Sequence, residues 1–163
     1  MIAYMERTRT YYGTLGYPAY EWARFEEVPF TPLPKPLADS RLALITTAAP
    51  KQEAVCDQGP GAAYNAAAKF FQVYTVPAEP VPDLRIAHLG YDRRHTTAQD
   101  PNTWLPVDAL NAAVASGRLG SLASAIIGVP TNRSQRVTMQ VDAPRALASC
   151  LEQQADIALL VPS

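Results

Sequence analysis

The chain has 163 residues, 48% of them apolar, and a formal net charge of −1. That length fits one domain with a sizeable core. The balanced charge offers no attraction to a polyanion, so nucleic acid is excluded as a partner. No charged and then apolar opening makes a signal peptide. No apolar run approaches the roughly 20 residues of a membrane span. A cytoplasmic protein with no membrane partner is therefore expected. Two cysteines, Cys56 and Cys150, are too few for a disulfide framework and read as reduced thiols. Cys150 sits among Ala148, Leu151 and other helix formers and reads as a core filler. Cys56 lies in a stretch with Gly and Pro and is the more exposed and reactive of the two.

In chain order, residues 2–13 predict a short amphipathic helix, stopped by Gly13 and Gly16. A second short turn follows over 17–25. The aromatic density there (Tyr4, Tyr11, Tyr12, Tyr17, Tyr20, Trp22, Phe25, Phe30) predicts packing on the domain or on a second subunit. Pro29, Pro32, Pro34 and Pro36 make an extended strap, which reads as a stiff connector. Residues 41–48 hold the continuous apolar run Leu42, Ala43, Leu44, Ile45, as a strand buried on both faces requires. A polar, Gly-containing loop follows over 50–63. Residues 69–76 and 84–89 predict two further strands.

Next, 106–116 predicts a helix with Pro106 in its first turn, Asp108 at the positive end of its dipole and Gly117 just past its end. Leu110, Ala113 and Val114 form its apolar stripe. Residues 122–129 predict a strand. Asp142 is a suitable N-cap for a helix over 143–153, with Leu147 and Leu151 as its buried face. The last nine residues, 155–163, read as a buried strand running into a loop. Strands alternating with helices give an α/β fold, a three-layer sandwich with a mostly parallel sheet, preceded by the aromatic arm. The expected division is an arm and strap over 1–36 and an α/β domain over 37–163.

In open α/β sheets ligands gather past the carboxyl ends of strands. The loop over 88–102 follows a predicted strand and holds both histidines, His88 and His95, with Tyr91, Asp92, Asp100 and Asn102. Such a concentration is what an α/β active site looks like. A metal site or an acid–base set is one use for it. The spacing matches no standard zinc pattern, so no metal is expected. The ordinary alternative is that Asp92 and Asp100 bond their own loop backbone and Asn102 caps a turn. No P-loop and no Gly-x-Ser-x-Gly elbow is present.

Several stretches in order carry a resemblance: Arg7 to Trp22, Lys35 to Ala48, His88 to Asp92, Asp100 to Leu110, Gly117 to Ala123, and the terminal Ala155 to Pro162. Together they resemble the glycine/sarcosine/betaine/D-proline reductase selenoprotein B family, most specifically over 100–123. The resemblance implies reductive cleavage of a carbon–nitrogen bond in a small amine or amino acid. It also implies partner reductase subunits or a homo-oligomer, and no separate cofactor. The family nucleophile is a selenocysteine or cysteine in the segment after the last strand. Such a group needs an anion at a strand–helix junction, where a helix N-terminus stabilises it. No residue of this chain matches that nucleophile. The reading expects truncation just before the redox motif, through a UGA codon taken as a stop or through natural shortening. Under it, His88, Tyr91, Asp92, Asp100 and Asn102 bind substrate, the aspartates taking its ammonium group. The competing expectation is a non-catalytic interaction protein whose aromatic arm and bare sheet face form a subunit interface.

Overall fold

The computed structural model describes residues 3–50, 70–86, 99–131 and 134–163. The chain divides into two compact units, Met1–Thr31 and Pro32–Ser163.

The first unit is built on helix α1, Ala3–Thr14. Gly13 lies inside this helix. It is Gly16, at φ +77°, that stops it. That left-handed backbone lets the Tyr17 amide donate to the Tyr12 carbonyl at 3.1 Å, a closure glycine adopts at low cost. The helical turn expected over 17–25 does not form, and the backbone there is irregular. Its aromatic rings pack instead. Tyr12 lies 5.4 Å from Tyr20, and Tyr20 lies 4.8 Å from Trp22.

The second unit is organised around β1, Arg41–Thr46, whose last five residues are buried. On one side β1 pairs in parallel with β5, Ser121–Leu122, and then β6, Ala125–Gly128. On its other side it pairs in parallel with β7, Ile157–Val161. The antiparallel strand β3, Tyr74–Pro77, closes the far edge against β6. The main sheet is thus mostly parallel, with β1 at its centre. A separate two-stranded ladder joins β2, Ala49–Pro50, to β4, Leu84–Arg85. Of the strand expected over 84–89, Leu84–Arg85 therefore stands outside the main sheet, and 87–89 lie outside the described residues.

Alternate residues of β1 feed two cores. Leu42 and Leu44 pack with Trp104, Val107 and Ile126. Ala43 and Ile45 pack with Ile127, Ala146 and Cys150. This is the period of two that puts successive side chains on opposite faces. Helix α2, Val107–Ala115, adds Leu110, Ala113 and Val114 to the first core, the stripe its sequence predicts. Gly117 takes φ +70° just past its end.

The next helical stretch differs from expectation. It begins at α3, Gln135–Val137, capped by the Ser134 hydroxyl, which accepts from the Val137 amide at 3.3 Å. It continues through a π turn, Thr138–Asp142, into α4, Ala143–Glu152. Asp142 has helical backbone and a buried side chain, so it lies within a continuous helical run and is no N-cap. Nor is the buried face Leu147 and Leu151, which are 59% and 65% exposed. Ala146 and Cys150 are buried instead. The helix settles close to the sheet on its small residues and leaves the larger stripe at its flank.

Candidate functional site at the carboxyl rim of the sheet

The three parallel strands β1, β6 and β7 end together. The Val129 amide donates to the Thr46 carbonyl at 2.9 Å, and the Thr47 amide donates to the Val161 carbonyl at 3.3 Å. This rim is held by hydroxyls and by one indole. Thr46 is fully buried. Its Oγ1 donates to the Trp104 carbonyl at 2.8 Å and accepts from the Ala48 amide at 3.1 Å. Tyr74 Oη donates to the Ala48 carbonyl at 2.6 Å. Burial pushes the Tyr74 phenol well above its ordinary range, so it is a neutral donor and no base at any physiological pH. Trp104 Nε1 donates to the Leu84 carbonyl at 2.9 Å. The hydroxyls of Thr46 and Tyr74 and the indole of Trp104 thus each find a partner, as the cost of leaving one unmade demands.

Both flanks of the predicted polar loop are tied to this rim. On entry, Arg85 pairs with Ala49, three residues past the end of β1. On return, the Trp104 carbonyl meets Thr46 in the last position of β1. His88, Tyr91, Asp92 and His95 lie outside the described residues. Asp100 and Asn102 lie inside and are brought together. Asp100 Oδ1 accepts from the Asn102 backbone amide at 2.9 Å and from Asn102 Nδ2 at 3.0 Å. Asp100 thereby caps a 3₁₀ turn, Pro101–Thr103. Asn102 Oδ1 accepts from the Ala109 amide at 3.2 Å, satisfying a donor in the first turn of α2. These bonds tie the returning limb of the loop to α2.

Thr46, Thr47 and Tyr74 escaped the sequence reading. A signal was available: two adjacent hydroxyls at the carboxyl end of the first buried strand, where such sheets bind ligands. Cys150, by contrast, is buried in the second core. Burial pushes its thiol up, so it is a filler and no nucleophile at neutral pH. A cleft of about 490 Å3 lies away from the rim, beside the amino end of β6, and Glu79, Asn111, Ser121 and Ser124 are among its lining residues.

An open, mostly parallel sheet with its polar groups gathered at the carboxyl ends defines an α/β domain of the kind that works at its strand ends. Comparison with known proteins makes the assignment specific. A family model described as Glycine/sarcosine/betaine reductase selenoprotein B matches residues 17–156. The chain belongs to the glycine/sarcosine/betaine reductase selenoprotein B family. No curated protein and no solved structure matches it. Among the described residues, no helix is long and apolar enough to cross a membrane.

Proposed function

We propose that this chain forms part of a selenoprotein B-type reductase that cleaves the carbon–nitrogen bond of a small amine or amino acid. The observation that carries the proposal is the convergence at the rim, read with the family membership. The flanks of the polar loop leave and return beside β1, and Ser163, just past β7, lies against the same strand end. In this reading a selenolate or thiolate that no described residue supplies bonds to the substrate carbon as the amine departs with the bonding pair. His88, Tyr91, Asp92, Asp100 and Asn102 line the substrate side, with the aspartates facing its ammonium group. Asp100 keeps its cap while doing so, because a carboxylate accepts several bonds at once. The nucleophile is not Cys150, whose burial removes it from the rim. Partner reductase subunits complete the active protein.

The test combines the protein with reductase subunits and a dithiol reductant, and offers glycine, sarcosine, betaine and D-proline in turn. The expected result is saturable binding of one of the four by the assembly. No binding of any of them in an assembled complex would remove the reading.

A second reading has its own support. Leu147, Leu151 and Leu160 are each more than half exposed, which suits a non-catalytic interaction protein docking by an apolar face. Sedimentation at increasing concentration tests it. A monomer throughout, with or without the reductase subunits, would exclude this second function.

A further inference from the structure

We propose that the cleft at the amino end of β6 is a second binding site, one that takes a small organic cation: a primary amine on a short apolar body. The inference stands apart from the reductase reading, because no residue of the carboxyl rim takes part in it.

The cleft exists because β3 stops short. β5 and β6 follow one another along the same side of β1, with Arg41 opposite Ser121 and Ile45 opposite Ile127. β3 covers the outer side of β6 only as far as Pro77 opposite Ala125. One more bond follows, from the Ala78 amide to the Ser124 carbonyl at 2.9 Å. Among the described residues no strand continues beside the outer edge of β5. The amides of Ser121 and Ala123 donate inward, to the Ser40 and Leu42 carbonyls at 3.1 and 2.8 Å. In a parallel ladder the residue between them faces the other way. The Leu122 carbonyl is therefore an acceptor on the open edge. α2 walls that edge with Asn111 and Val114.

The resulting space is about 490 Å3, within the range of small-molecule sites. Ala78 and Ala123 are buried and, with Val114 and Leu122, make its apolar part. Glu79, Asn111, Ser121 and Ser124 make its polar part. None of these four side chains makes a hydrogen bond or an ion pair with a described residue. What they offer together is one-sided. A carboxylate, an amide oxygen, the hydroxyls and the Leu122 carbonyl can all accept, and an ammonium group has three protons to give and no lone pair. The hydroxyls and the amide can also donate, but no Lys, Arg or His is among the described residues that line the cleft. An anion there would meet the Glu79 charge with nothing to balance it. A neutral guest would leave that charge unanswered. An amine uses both the charge and the apolar wall.

The test runs on the 163-residue chain by itself. Backbone amide signals are followed as hexylamine, hexanol or hexanoate is added. The three probes share one apolar body and differ in charge. Hexylamine should shift the amides of Asn111 and Ser121–Ser124 saturably. It should bind about tenfold more tightly than either of the others, the scale of one charge-assisted hydrogen bond. Glu79→Gln keeps the size and removes the charge. It should weaken hexylamine about tenfold and leave hexanol unchanged. Asn111→Ala should weaken hexylamine about threefold, as one neutral acceptor is lost. Glu79 is exposed, and Asn111 is half-buried on a helix that favours alanine, so neither change threatens the fold. Equal binding of the three probes makes the cleft merely apolar and overturns the proposal. Shifts that do not saturate overturn it, and so does an unchanged affinity in Glu79→Gln. Saturable shifts at Thr46, Asp100 and Asn102 in place of the cleft put the amine at the rim. That outcome overturns the second site and leaves the reductase reading standing.

Discussion

Gly128 is glycine because Tyr74 stands where its side chain would be. The two residues are opposite one another across the antiparallel β3–β6 pair. A Cβ built on Gly128 would fall within the Tyr74 ring. The ring uses that space to lie over the strand and reach the Ala48 carbonyl. Gly128→Ala forces the ring aside, breaks that bond and overpacks the edge. We expect it to cost about 2 kcal/mol or more in urea denaturation, and a loss below 0.5 kcal/mol would show that the ring moves freely. Tyr74→Phe keeps the ring and removes only the hydroxyl, so its cost should stay near 1 kcal/mol. Asp156 is a different kind of anchor. Its Oδ2 accepts from the Arg41 amide at 2.8 Å and lies 2.8 Å from Lys35 Nζ. The Arg41 amide first, and then Lys35, hold its carboxyl below the ordinary carboxylate range. A depressed carboxyl stabilises the fold above its unfolded pKa, and that stability is lost as pH falls through the folded value. Stability should therefore drop below about pH 4, and less steeply in Asp156→Asn. Parallel acid limbs for the two proteins would remove Asp156 from the account.

At the scale of the element, the helical run from 135 to 152 starts a full two turns before the sequence places it. Ser134 is its N-cap. Ser134→Ala should cost about 1 kcal/mol, as thermal unfolding of the two proteins will show. A cost near zero would mean that the run frays back to α4. The sequence misleads here because Asp142, just ahead of Ala143 and Pro144, has the chemistry of a start, and β-branched Thr138 and Val141 weaken the signal ahead of it. Leu147 and Leu151 mislead for a related reason. Periodicity marks an apolar stripe but not whether a neighbour stands beside it. Elsewhere the local signals are enough. The uninterrupted run of β1 marks a strand covered on both faces. Pro106 and Gly117 punctuate α2 within two residues of its ends. The rim was only half legible. Its strand ends follow from the class of fold, but the clasps join Thr46 to a carbonyl 58 residues away and Thr47 to a backbone 116 residues away. No local pattern encodes partners at those separations.

At the scale of the whole molecule, the uneven cover of β7 has consequences for solution behaviour. Ile157 and Val161 turn into the first core, but Leu160 stands opposite Ile45 on the other face and is 68% exposed. The strand carries no charge, no proline and no glycine between Ile157 and Val161, so it has none of the usual guards of an edge. Among the described residues its only strand partner is β1. An apolar, unguarded strand offers both backbone bonds and side-chain area to another chain. Leu160→Lys places a charge on that surface while removing little that is buried. Its unfolding free energy should therefore stay within about 0.5 kcal/mol of the parent, and light scattering at high protein concentration should show less association. A large loss of stability would mean that Leu160 is covered in solution, and association unchanged by the lysine would place the contact on another face. Adding Leu151→Glu separates the two arrangements by which this surface can associate. If chains meet through the flank of α4 as well as through the strand, the double variant dissociates further than Leu160→Lys alone. If they meet only through the open backbone of β7, the second change adds nothing, because a helix flank has no part in an edge-to-edge ladder.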